Sequence, residues 1–155
     1  MCKYCYAIAA TMGLLILALI LRFMVVGATE SVPDGRTAII VTAVERDLVL
    51  AEMRGFLEAV QTIIVANNAG DLNTVAMAAR KVGKANMDQR SSNLAGKLPM
   101  EFRRLGMDTH SRFDLLALDA EQFESTEHAS QQLGALTGNC VVCHRAYRLA
   151  TNKSE

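Results

Sequence analysis

Hydrophobic and polar positions along this chain alternate with the period of a helix in four places, and in one further place the polar positions almost vanish. From Tyr6 to Ala28 the run is apolar apart from Arg22. At about 1.5 Å per residue it has the length to cross a hydrocarbon layer of about 30 Å. The pattern therefore predicts a transmembrane helix within an anchor at residues 1–30. A cleaved signal peptide is the rival reading, because Val26, Gly27 and Ala28 resemble a small-residue cleavage site before Thr29. Residues 31–41 hold Pro33, Asp34 and Gly35 and then a β-branched stretch, Ile39 to Val41. They carry no helical period and read as a linker or a short extended arm.

Helical periodicity starts at Thr42. Thr42-Ala43-Val44-Glu45 has the capping-box pattern, in which a Thr hydroxyl and a Glu carboxylate satisfy backbone N–H groups at a helix start. Leu50, Met53, Leu57, Val60 and Ile64 then recur at steps of three and four, and are expected to face inward. Asn67, Asn68 and Gly70 supply a stop, and Asp71 caps a second helix with Leu72, Val75, Ala79 and Val82 inward. Ser91 to Gly96 reads as a loop, and Pro99 as the opening of a short turn ending at Gly106. A third helix begins near Asp108 or Thr109 and buries Phe113, Leu116, Ala117, Ala120 and Phe123. A fourth runs from about Glu127 to about Ala150, with Leu133, Leu136, Cys140, Cys143 and Tyr147 on one stripe. Gly134 and Gly138 weaken it by roughly 1 kcal/mol each, tolerable if something bulky lies against the backbone there. The fold class expected is all-α: an antiparallel four-helix bundle over residues 42–155, preceded by one transmembrane helix.

Composition agrees with helices: Trp is absent, Pro occurs twice, and aromatic residues are 5% of the 155. Setting aside residues 1–30, with Lys3, Arg22 and Glu30, leaves fourteen basic and fifteen acidic side chains. A near-neutral domain of this kind is a poor fit to nucleic acid. Lys3 before the apolar run and Glu30 and Asp34 after it argue for a cytoplasmic N-terminus. The expected location is a bacterial inner membrane, crossed once, with the remaining domain on the periplasmic side.

The chemistry lies in the cysteines. Cys2 and Cys5 form one C-x-x-C pair and Cys140 and Cys143 another, and the second alone is followed by histidine. Cys140-Val141-Val142-Cys143-His144 is the pattern of c-type haem attachment: on a helix two thiols reach the two vinyl groups while the His144 imidazole meets the iron. Zinc would need a fourth ligand and would crowd adjacent Cys and His into one tetrahedron. A redox dithiol of thioredoxin type sits at the start of a helix after a strand, not deep in a C-terminal helix. The expected cofactor is one covalent haem c.

The run from Gly138 to Arg148, with the motif followed by Tyr147 and Arg148, resembles the cytochrome c prime family, the class II cytochromes c. The resemblance implies a haem held between helices with one edge near solvent, Arg148 near a propionate or the histidine face, and Tyr147 beside the haem. Low-spin members place a Met from the first helix on the iron, and Met53 lies at a comparable position. A six-coordinate iron means electron transfer; the plain alternative is that Met53 fills core space. The chain departs from the family where an Arg often precedes this Met by one turn, since Val49 stands there, and in lacking a Trp on the third helix. Met77, Met87, Met100 and Met107 are less suited by position. His110 and His128 read as surface groups. The expected function is single-electron transfer without substrate turnover, with other redox proteins or a multisubunit membrane complex as partners. The alternatives are a five-coordinate binder of nitric oxide or carbon monoxide, and a structural subunit whose haem does not conduct.

Overall fold

The computed structural model describes residues 3–86 and 92–151. Cys2, Met87, Ser91 and the last four positions of the expected domain lie outside them. In chain order the elements are helix α1 (Lys3–Ile20), a π-helical turn (Leu21–Val26), strands β1 (Thr29–Ser31) and β2 (Thr37–Val41), and helices α2 (Ala43–Asn68) and α3 (Leu72–Lys81). A 3-10 turn (Lys84–Asn86), helices α4 (Ser92–Lys97), α5 (Met100–Gln122) and α6 (Thr126–Ala146), and strand β3 (Tyr147–Thr151) complete the order.

The apolar N-terminal run does not form one long helix. α1 is 18 residues, about 27 Å at the helical rise. At Leu21 the α-helical hydrogen bonding gives way to the π turn, and the Arg22 guanidinium donates to the Gly27 carbonyl. Gly27, at φ 71°, ends the segment where a side chain would collide with the Lys97 carbonyl. Among the described residues no helix is long and apolar enough to cross a membrane. The expected single-pass anchor, and with it the inner-membrane, periplasmic-side location, is therefore corrected. Length and hydropathy predict one helix over the 23 positions from Tyr6 to Ala28; the backbone leaves α geometry after Ile20.

The capping box opens α2 as expected: the Thr42 N–H donates to Glu45 Oε2 at 2.8 Å, and the Glu45 N–H donates to Thr42 Oγ1 at 3.3 Å. Lys97 Nζ then binds Glu45 at 2.7 Å and ties α4 to this helix start. Asp71 caps α3, accepting from the Thr74 N–H at 3.0 Å. The second half of the chain differs more. Residues 92–97, expected as loop, form α4, and Leu94 and Leu98 are fully buried. The turn expected after Pro99 and the helix expected from Asp108 are one helix, α5, which passes through Gly106 without interruption.

The fourth helix ends at Ala146, and residues 147–151 become β3. This strand pairs in parallel with β2, Thr37 opposite Tyr147 and Val41 opposite Thr151, while β2 pairs antiparallel with β1. Alternation explains it: Tyr147 and Leu149 pack on a core formed by Ile39, Val41, Val49, Leu94 and Leu98, while Arg148 points out. The expected linker thus holds the end of β1 and all of β2, two strands of a three-stranded sheet. A second core joins Phe56, Ala59 and Ile63 of α2, Val75 and Ala79 of α3, Phe113, Leu116 and Ala120 of α5, and Leu133 and Leu136 of α6. The fold is mostly helical with a small sheet, and the expected four-helix bundle behind a transmembrane helix is not what forms. α3 has 10 residues against 26, 23 and 21 for α2, α5 and α6, and a three-stranded sheet joins them.

Candidate functional site

α2 carries two neighbouring apolar stripes, one fully buried in the core and one only partly so, with Met53 and Val60 packed at its edge. Val49, Phe56, Ala59 and Ile63 are buried. The stripe expected to be buried is turned aside: Leu57 is 70% exposed and Ile64 46%. Four of its members, Leu50, Met53, Leu57 and Val60, instead line a cavity of about 500 Å³ that α2 shares with α5 and α6. From α5 the walls are Phe102, Leu105, Gly106 and Thr109, and from α6 they are Thr137, Asn139, Cys140, Cys143 and His144. Gly106, read from sequence as a turn residue, adds no side chain to the wall.

α6 brings the motif to this wall. It opens on Ser125, whose hydroxyl accepts from the His128 N–H at 3.2 Å, and is held at its far end by β3. Just before the motif, Asn139 Nδ2 donates to Asp108 Oδ2 at 2.8 Å and reaches Thr109 Oγ1 at 3.3 Å. The Arg112 guanidinium, 2.6 Å from the same Asp108 oxygen, and then the Asn139 amide hold that carboxyl below its ordinary range. Asp108 and Thr109, expected at a helix start, thus lie within α5 and fix the first turn of the motif.

Cys140 and Cys143 are half-buried free thiols and His144 stands exposed at the cavity rim. Burial raises the Cys140 thiol, and burial followed by the neighbouring Cys140 pushes Cys143 up to about 11. An attacking redox thiol needs the opposite shift, since the thiolate is the nucleophile. Zinc fits no better: among the described residues no three His, Cys, Asp or Glu side chains converge as a metal site would require. The expectation of metal binding is corrected to that extent, because no cage of the protein's own ligands is formed.

The remaining site residues divide. Met53 is half-buried, touches both cores and lines the cavity with Cys140, Cys143 and His144. Met77, Met100 and Met107 are exposed and do not line it. Tyr147 and Arg148 are not on its wall. Tyr147 packs edge-on against Phe102, ring centres 5.5 Å apart, and its hydroxyl is raised by burial and then by Glu101 and Cys143. Arg148 lies 3.7 Å from Asp34 across the sheet, because the strand turns it away from α6. His128, partly exposed, faces Asp119 at 3.0 Å. His110 is the larger correction: expected at the surface, it is 3% exposed within α5. Gly134 and Gly138 face open space, where an added Cβ meets nothing within 4 Å, so no close-lying group explains them.

The donor set and the cavity's volume are compatible with a haem. That volume lies within the range of about 300 to 1,000 Å³ usual for ligand sites, the lining is apolar, and two thiols, an imidazole and a thioether reach it together. The stripe of α2 gave a signal for this wall, but nothing in its spacing marked it as cavity rather than core. Phe102, Leu105 and Asn139 carried no such signal. No family model, curated protein or solved structure matches this chain, and the likeness to cytochromes c prime rests on the run from Gly138 to Arg148.

Proposed function

We propose that this protein is a monohaem c-type cytochrome that carries single electrons. The observation that supports the reading is the apolar cavity on which Cys140, Cys143, His144 and Met53 meet. Haem bound there supplies an iron that cycles between two oxidation states. Cys140 and Cys143 would hold it by thioether bonds, and His144 would ligate the iron from the rim. Met53, on the α2 wall, is the candidate for the sixth position. Leu50, Val60, Phe102 and Leu105 would line the macrocycle with apolar side chains.

Position on α6 gives each residue a defined task. Asn139, pinned to Asp108, sets the rotation of the turn that presents Cys140. β3, pinned to β2, fixes the end of the helix just past His144, so thiols and imidazole stay in register with the cavity. Other redox proteins are the partners this reading calls for.

The test is the visible spectrum of the protein purified from cells able to attach haem, taken reduced in alkaline pyridine. Two thioether bonds predict the band of a haem lacking both vinyl groups. Cys140→Ala and Cys143→Ala should each move that band toward a haem retaining one vinyl group. A colourless wild-type protein, beside a loaded control cytochrome from the same cells, would remove the proposal.

A further inference from the structure

The cavity is apolar over most of its wall, and its charges are few. Among the described residues that line it, the charged or titratable side chains are Glu52 and Arg54 of α2 and Cys140, Cys143 and His144 of α6, while α5 contributes none. A guanidinium keeps its proton throughout the range in which proteins fold, so Arg54 is a cation whatever surrounds it. It follows Met53 in sequence and is exposed, whereas the Glu52 side chain is only 20% exposed and lies 3.1 Å from His110 Nε2. The cation therefore stands toward the mouth of the cavity and the carboxyl group deeper in. None of the ion pairs among the described residues uses Arg54.

Haem brings charges of its own. Its two vinyl groups and its two propionates lie on opposite sides of the macrocycle. With the vinyl side tied to Cys140 and Cys143 on α6, the propionates are directed away from that helix. The α5 wall offers them Phe102 and Leu105, against which a carboxylate is costly to bury. The mouth on the α2 side offers water and Arg54. Two other arginines near the motif do not serve: Arg145 is not on the wall, and Arg148 lies 3.7 Å from Asp34 across the sheet.

We propose that Arg54 binds a propionate of the haem and so fixes how the macrocycle lies between α2 and α6. The inference rests on the haem reading above. A guanidinium presents a planar fork of N–H donors that matches a carboxylate in two parallel hydrogen bonds, and its charge favours the ionised acid. Solvent at the mouth screens the pair, so the effect on that acid is modest, about half a pH unit or a threefold change in acidity.

The experiment follows the propionates directly in the haem-loaded full chain. Cells fed aminolaevulinate labelled with carbon-13 at its carboxyl mark both propionate carboxyls, and their resonances are titrated with pH in the reduced, carbon-monoxide-saturated protein. Arg54→Gln should raise the ionisation midpoint of at least one propionate by about half a pH unit or more. Arg54→Lys, which keeps the cation, should stay closer to wild type than to Arg54→Gln, and Arg148→Gln should leave both midpoints in place. Arg54 is exposed, so these variants should fold, and a merely structural role would change thermal stability without moving either midpoint. A smaller shift in Arg54→Gln, an Arg54→Lys protein that matches Arg54→Gln, or a shift under Arg148→Gln in its place overturns the inference. A wild-type chain without covalent haem defeats the haem reading and this inference with it, whereas a loaded chain whose midpoints do not move defeats only the inference.

Discussion

Replacing Met53 by leucine separates a ligand from a space-filler. Met53 packs against both cores and is half-buried. A swap that conserves volume at such a position costs less than about 1.5 kcal/mol. Truncation to alanine at a fully buried site costs about 2 to 5 kcal/mol, so roughly half of that, about 1 to 2.5 kcal/mol, is expected for Met53→Ala. Thermal unfolding measures these costs, and they hold whether or not the thioether meets iron. The spectrum does not share that indifference. Leucine offers no lone pair, so with Met53 as sixth ligand Met53→Leu should turn a low-spin spectrum that ignores carbon monoxide into a high-spin one that responds to it. Stability should change little. A wild-type protein that already binds carbon monoxide, or a Met53→Leu protein whose low-spin bands persist, would refute ligation by Met53. The first result would favour the five-coordinate, gas-binding form.

Two further outcomes follow from the same geometry. Gly134→Ala and Gly138→Ala place a methyl where nothing lies within 4 Å, and each should stabilise α6 by up to about 1 kcal/mol in chemical denaturation, with haem content unchanged. The apoprotein should lose stability as pH rises from about 9 toward 11. In that window the Cys143 thiol, pushed up to about 11 by burial, stays protonated in the folded state, while in the unfolded chain the thiol, near its ordinary value of 9.0, has released its proton. The unfolded state then binds fewer protons, so stability falls with pH. A thioether sulfur has no proton to lose, and the haem-loaded protein should lack this alkaline phase. Denaturation midpoints of both forms between pH 8 and 11 make the comparison.

Local signals carried the first half of the fold. Thr42, Glu45, Asp71 and Gly70 act through hydrogen bonds to their own neighbours, so the starts and stops of α2 and α3 can be read from a few adjacent residues. β3 could not be read that way. Five residues continuing a helical pattern become a strand because β2, more than a hundred positions earlier, offers them a hydrogen-bonded edge. Gly106 misled in the opposite sense, since one glycine inside a 23-residue helix costs only about 1 kcal/mol and tertiary packing overrides it. The N-terminal run was read by length and hydropathy, which do not register the change of helix type at Leu21.

The candidate site was legible where covalent spacing alone defines it. Cys140, Cys143 and His144 are fixed by five consecutive residues, and Met53 by one position on a stripe. What spacing could not convey is rotation. α2 turns far enough that Val49, Phe56 and Ile63 take the core and leave the stripe through Met53 facing a cavity. His110 was read as a surface group because its neighbours are polar, yet Glu52 and the Val82 carbonyl satisfy both ring nitrogens inside the fold. Arg148 was placed by analogy with a helix that continues; once β3 replaces that helix, its side chain alternates outward to Asp34.

Intact mass measurement tests the central claim most directly. The chain purified from a haem-attaching host should be heavier than its polypeptide by one haem, and Cys140→Ala/Cys143→Ala should return the bare polypeptide mass. A wild-type chain at the bare mass, alongside a control cytochrome loaded in the same cells, would contradict the account.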